Sequence, residues 1–373
     1  MSKTTKIIIV VIIAIIVIGG IWYIATREPK EEEVIKIGLI FPLTGGAANI
    51  GQGQKNAVEL ALEQLNDSNI QLIFEDDRLE ADDAVTAAQK LINVDKVDAI
   101  IGPSWSGATL AVAPIAESNR TLLLSPSASS PSITSAGDYI FRVYPADDMA
   151  VKMVAEFAFN NLKITKAAVL YDLANDSFVQ ERNYIKNEFE KLGGKIVIEE
   201  SFKTKDTDFK TQLLKIKNSE AEVIFFSAFP VETGLFLKQA KELDLKQPFI
   251  SLDTVVEDPS VITGAQEAAE GLIYQSPAKP ENKEHLNYVA DYKERYEKDP
   301  PAYSAEAYDC LMLVIKAIKE SDGTKEDIKN KLYQIGQNYM GASGEITFDK
   351  NGDVSKSFIL KTIKNGQFVP YEE

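Results

Sequence analysis

Four short β-rich runs alternate with amphipathic stretches, and a second set of four repeats the pattern. The first set is "VIKIGLIF" (34–41), "IQLIFEDD" from Ile70, "VDAIIG" (97–102) and "TLLLSP" (121–126). Between them, "NAVELALEQLN" (56–66) puts Val58, Leu62 and Leu65 on one helical face, and "ADDAVTAAQKLIN" carries Asp82 and Asp83 where a helix N-terminus favours them. The second set is "KAAVLYD" from Lys166, "KIVIEE" from Lys195, "EVIFFSAF" from Glu222 and "PFISLD" from Pro248, with helices such as "ETGLFLKQAKEL" (232–243) between. Repeated strand–helix–strand units with short connections predict parallel sheets covered by helices, an α/β class. At 373 residues the chain exceeds what one core usually holds, so two Rossmann-like lobes are expected. The tail reads as two consecutive helices, "ENKEHLNYVADYKERYEKD" and "SAEAYDCLMLVIKAIKE", then late strands "GEITFD" and "SFILKTI". Such a helix pair most simply completes the first lobe, with the chain crossing back. Asn351-Gly352 in "DKNGD" signals a hairpin turn.

Ahead of this series lies "IIIVVIIAIIVIGGIWYIA" (7–25), 19 residues without a charge. As a helix it would be about 28 Å long, close to the ~30 Å hydrocarbon core of a bilayer. Trp22 and Tyr23 stand at its far end, where interfacial aromatics belong. A cleaved signal peptide is the alternative, but its apolar stretch would be shorter, and no small-x-small cleavage site follows. No cysteine ends the run, which excludes a lipidated one. The expectation is an uncleaved single-pass anchor with the charged tether "TREPKEEE" (26–33). Lys3 and Lys6 on the inner side put the rest of the chain outside the cell, although Arg27 and Lys30 oppose that orientation.

Several functions are disfavoured. A net charge of −16 repels nucleic acid. The single cysteine, Cys310, allows no intramolecular disulfide, and the single histidine, His285, sits in a charged helix where solvation is its ordinary fate. "GQGQKN" from Gly51 lacks the third glycine of a dinucleotide loop, and no phosphate-binding G-K-[ST] is present. "EDDRLEADD" (75–83) reads as a strand end with helix capping, and "DKNGD" lacks the spacing and distant glutamate of a calcium loop. No metal, cofactor or catalytic group is expected.

In open α/β sheets a ligand sits past the carboxyl ends of the strands, and two facing lobes form a cleft there. The third strand ends in Ser104-Trp105-Ser106-Gly107 and the fourth in "SPSASSPS" (125–132). A helix N-terminus offers free N–H groups, and the hydroxyls of Ser106 and Ser129 add neutral donors, a set suited to one carboxylate. Serine also simply favours caps and turns. In the second series Asp253 ends the fourth strand, Asp176 follows the first and Phe229 the third. A carboxylate facing anion donors would grip a zwitterion at both ends; alone, Asp253 would be a solvated loop acid. Pro114 lies inside the helix opened by Ser106 and should kink it.

The stretches "IGLIFPLTGGAANIGQGQKNAVELALEQLN", "DAIIGPSWSGATLAVAPIAE", "LLSPSASSP", "FRVYPADD", "KTKDTDFKTQL", "FLKQAKELDL" with "PFISLD", and "AEGLIYQSP" with "SAEAYD" resemble, in order and spacing, the branched-chain (leucine/isoleucine/valine) amino-acid-binding proteins, the type I periplasmic solute-binding proteins of ABC transporters. The resemblance implies two lobes joined by a three-crossover hinge: 34–144 with 278–353 as lobe 1 and 145–277 with 354–373 as lobe 2, behind an anchor and tether at 1–33. It implies capture of an amino acid or related small polar compound and delivery to permease and ATPase subunits of an importer. By position, Ser106 resembles the serine bonding the ligand carboxylate. Ser127 and Ser129 resemble the pair giving a carbonyl to the ammonium and a hydroxyl and N–H to the carboxylate, and Asp253 resembles the acid that bonds the ammonium. Ile50, Trp105 and Phe229 would line the side-chain pocket, with 42–51 as its wall. Where many members carry a tyrosine, Asp176 or Ser177 stands here, which makes the ammonium side more acidic, and Trp105 is bulkier than the small residues common there. Two other functions compete: a membrane-bound sensor using the same cleft, and an enzyme with Asp253 and Asp176 as an acid–base pair.

Overall fold

The computed structural model describes residues 34–278 and 280–372. The expected membrane segment lies outside the described residues, and among those no helix is long and apolar enough to cross a membrane. The first half runs β1 (Ile35–Phe41), α1 (Ala48–Leu65), β2 (Ile70–Asp76), α2 (Ala81–Lys90), β3 (Ala99–Ile101), α3 (Ser106–Ser118), β4 (Leu122–Ser125) and β5 (Ile140–Arg142). Its five strands are parallel, in the order β2-β1-β3-β4-β5. Helices on both faces leave β3 and β4 fully buried, so these strands are continuous apolar runs rather than alternating ones.

The second half runs α4 (Asp148–Glu156), β6 (Lys166–Asp172), α5 (Asp176–Lys191), β7 (Lys195–Phe202), α6 (Lys210–Lys217), β8 (Val223–Ser227), α7 (Pro230–Glu242), β9 (Phe249–Ser251), α8 (Pro259–Ala265) and β10 (Ile273–Pro277). The chain then makes α9 (Lys283–Tyr296), α10 (Ser304–Glu320), α11 (Lys325–Ile335) and the small β11 (Tyr339–Gly341)–β12 (Gly344–Ile346) ribbon. It returns with β13 (Phe358–Lys364) and β14 (Gln367–Pro370). The second sheet has the order β14-β13-β10-β9-β8-β6-β7; β6 to β10 are parallel, and β13 and β14 join antiparallel. Leu311, Val314 and Ile315 of α10 pack into the core of the first sheet with Ile37, Leu39 and Leu124. The chain therefore crosses between the two sheets after β5, after β10 and before β13.

Four local expectations change. The first helix begins at Ala48, not near Asn56, so Gly51 and Gly53 lie in its first two turns. Glycine is needed there: a Cβ on Gly51 would stand 2.2 Å from the Pro42 carbonyl oxygen. The tail holds three helices; α11 opens on Thr324, whose hydroxyl accepts the Asp327 N–H. Around Asn351-Gly352 no paired strands flank the turn; Asp349 Oδ1 instead accepts the N–H groups of Asn351 and Asp353. His285 is half-buried, with Nδ1 2.7 Å from the Ala342 carbonyl oxygen. The helix α3 runs on through Pro114 to Ser118.

Candidate functional site

The site forms where the carboxyl ends of the two sheets face each other. On the first sheet, Gly102 has φ +95°, and a Cβ there would lie 2.2 Å from the Ile40 carbonyl oxygen. This tight turn feeds Ser104 and Trp105 into the start of α3. Ser106 Oγ accepts the N–H groups of Ser129 (3.1 Å) and Ser130 (3.0 Å), which ties the β3 turn to the β4 turn. On the second sheet, α5 starts after Asn175, whose side chain accepts the Phe178 N–H. Its buried face is Ser177, Phe178, Glu181, Ile185 and Phe189, spacings of one, three and four that place a glutamate within an apolar stripe.

The two halves meet through hydroxyls. Ser129 Oγ lies 3.0 Å from Ser177 Oγ, and Ser130 Oγ donates to Asp176 at 2.9 Å. Ser177 also donates to Asp147 Oδ2 at 3.0 Å. Asp253 Oδ1 accepts the Val255 N–H (2.7 Å) and the Tyr303 hydroxyl (2.8 Å), while Ser227 donates to Glu181.

Asp147, Glu181 and Asp253 thus converge, each offering a carboxylate oxygen within 4.8 Å of the others. All three are buried, at 1%, 0% and 5% exposure, a position acids hold only when paired. Burial, then the neighbouring Asp253 charge, pushes the Asp147 carboxyl up to about 7. The same two causes raise Glu181, and burial raises Asp253. Asp147 Oδ1 and Glu181 Oε1 are buried without a hydrogen-bond partner, and so is Trp105 Nε1. Aromatic rings wall the group: Trp105 meets Phe229 edge-on at 4.9 Å and Tyr303 at 6.2 Å, and Tyr144 meets Tyr303 at 5.1 Å. A cavity of about 890 Å³ lies beside this wall, lined in part by Tyr144, Thr254 and Tyr303. The trio has metal-ligating spacing, but a hard divalent ion wants six or more oxygens and the rest of the lining is aromatic rings and hydroxyls that already donate.

The expected site residues fall in this region with different duties. Ser106, Ser129, Asp253, Trp105 and Phe229 stand at the junction. Ile50 is buried in the same apolar cluster as Trp105 and Phe229. Ser127 is engaged inside the first half, donating to the Ser104 carbonyl at 2.7 Å and accepting from Gln54 at 3.3 Å. Asp176 is half-buried and binds Ser130 across the junction. The Ser129 N–H, expected to serve a ligand carboxylate, is donated to Ser106 Oγ. Sequence reasoning named Ser177 only as an alternative to Asp176, and missed Asp147, Glu181, Tyr144 and Tyr303. Glu181 carried a signal, an acid on the apolar face of its helix. Tyr303 shows its strain only in the backbone, at φ +62°.

A family model described as periplasmic binding protein matches residues 34–367. A Pseudomonas aeruginosa protein named leucine-, isoleucine-, valine-, threonine-, and alanine-binding protein is 27% identical over 351 residues, 91% of this chain and 90% of its own. A leucine binding protein, LivK, from Thermotoga maritima superposes with TM-score 0.86 at 31% identity, over 91% of this chain and 98% of that one. The branched-chain amino acid transporter substrate binding protein LivJ from Streptococcus pneumoniae, solved with isoleucine, gives TM-score 0.82 at 26% identity, over 90% of this chain and 98% of that one.

Proposed function

The chain belongs to the periplasmic binding protein family, and from that premise we propose that it is an extracytoplasmic solute-binding protein serving an ABC importer. It is a binding protein and not an enzyme. It captures a small, amine-bearing, amino acid-like ligand between two lobes and hands it to permease and ATPase subunits. The lobes are 34–144 with 278–353 and 145–277 with 354–373. The segment at 7–25 holds the protein on the outer side of the membrane.

One observation carries the reading. Polar groups from both sheets converge in a buried space, and two carboxylate oxygens and an indole N–H there lack partners. Such groups cost stability unless something supplies the missing bonds, and a captured solute does so. The relatives named for leucine, isoleucine and valine binding support an amino acid-like ligand.

The mechanism is closure. Trp105, Phe229 and Tyr303 are 2–7% exposed, so a solute enters only when the lobes part. It meets the donors of lobe 1, and Asp253 with Glu181 draws lobe 2 onto it. The shift toward the closed form is limited by the ligand's preference for that form. Calorimetry of the full chain in mild detergent against the standard amino acids and short-chain amines tests this. A 1:1 isotherm weakened by Asp253→Ala is expected, and silence from the whole panel refutes it. Alkaline carbonate extraction of membranes tests the anchor: the protein should stay in the pellet, and release into the supernatant refutes it.

A further inference from the structure

We propose that the solute carries net positive charge: a small cationic amine whose ammonium enters between Asp147, Glu181 and Asp253 while its hydrocarbon part lies against Trp105 and Phe229. This rests on the solute-binding reading above and names its substrate class.

The charge balance of the junction carries the argument. Three buried carboxyls put oxygens within 4.8 Å of one another. Arg142 is the cation acting on Asp147, but its guanidinium is already spent. It donates to Asp353 at 2.7 Å, to the Ser130 carbonyl at 2.8 Å and to Thr134 at 2.9 Å. A zwitterion brings one positive charge and cancels it with its own carboxylate. The donors that would bind that carboxylate are partly closed, because the N–H groups of Ser129 and Ser130 both go to Ser106 Oγ.

The carboxyl oxygens point the same way. Asp147 Oδ1 and Glu181 Oε1 have no donor from the protein, and Glu181 meets Asp253 carboxyl to carboxyl through a shared proton, a set of acceptors that a multi-donor ammonium satisfies. The rings of Trp105, Phe229 and Tyr303 meet edge-on and form an aromatic wall beside the acids, a surface that attracts cations electrostatically. Tyr144 and Tyr303 also face the group, and neither supplies positive charge. Burial keeps part of the trio protonated when no cation is bound, and an entering ammonium takes the place of that proton.

The test is calorimetry on the full chain in mild detergent at pH 7.5, with L-lysine, putrescine, L-leucine, L-glutamate and calcium chloride as separate probes. L-Lysine or putrescine should bind at least tenfold more tightly than L-leucine, and L-glutamate should give no isotherm. Glu181→Gln keeps an acceptor for Ser227 and should lose at least tenfold of the cation affinity; Asp147→Asn is the second variant should the first fail to fold. Tight L-leucine binding with weaker cations overturns the proposal and leaves the solute-binding reading standing. Silence from every probe overturns the proposal, and the solute-binding reading then stands or falls on the wider panel above. Calcium binding more tightly than either amine, or a cation preference surviving both variants, also overturns it.

Discussion

Replacing Asp147 by asparagine should stabilise the unliganded protein at pH 8 and do nothing at pH 4. Burial, then the charge on Asp253, pushes the Asp147 carboxyl from 3.8 in the unfolded chain to about 7 in the fold. Below about pH 4 both states hold the proton and the group is neutral in its effect. As pH rises toward 7 the unfolded chain releases its proton while the fold retains it, so stability falls. Above about 7 the loss is complete, on the order of 4 kcal/mol at ~1.36 kcal/mol per pH unit. Asp147 is only 1% exposed, so solvent screens little of this. An amide is never ionised, can still accept from Ser177 through its oxygen, and its NH2 can donate toward the neighbouring acids. At ~2.1 cal/mol/K per residue, 4 kcal/mol in a chain of this size is about 5 °C in Tm. Asp77, which burial also pushes up to about 7, and Asp309, pushed up to about 6, impose their own slopes on both proteins, and these cancel in the difference. Scanning fluorimetry of both proteins from pH 4 to 8.5, at one scan rate and without added solute, reads the difference directly. An Asp147→Asn protein with lower Tm at pH 8, or with an equal gain at pH 4 and 8, refutes the account.

Other perturbations isolate other parts. Asp253→Ala removes a charged contact worth ~1.5–3 kcal/mol and should weaken solute binding at least tenfold by calorimetry; an unchanged Kd would sink the assignment. Gly51→Ala drives a methyl to 2.2 Å from the Pro42 carbonyl oxygen, so the start of α1 must shift; a Tm drop of several degrees is expected, and no drop would show that the turn yields. Lys205→Ala breaks the ion pair with Glu80, 2.6 Å long but with both side chains more than half exposed, and should leave Tm within a degree because such pairs are worth ~0–1 kcal/mol.

Much of the scaffold was legible because its causes are local. Runs such as Ala167 to Leu170 and Val223 to Phe226 are buried strands whose neighbours in the chain are turns and amphipathic helices. The helix start at Ala48 was not legible because Gly51 and Gly53 lower helix propensity, and only Pro42 and Pro301, pressed against them, explain why the helix uses glycine there. The position of Ser106, Ser129, Asp253, Trp105 and Phe229 at the junction of the two sheets was legible because strand ends in α/β sheets face the cleft. Glu181 was readable as an acid on the apolar face of its helix but passed over beside Arg182 in "SFVQERNY", and Asp147 was hidden by its place in a connection.

Read alone, the sequence determined the two strand–helix series, the family likeness, and one carboxylate of the three. The meeting of Asp147, Glu181 and Asp253 was decided by tertiary structure. They come from two connections and the helix α5, up to 106 positions apart, and nothing in their local patterns places them within 4.8 Å. Their chemistry also arises there. A carboxyl titrates by the water and charges around it, and only the packed fold removes the water and brings like charges together.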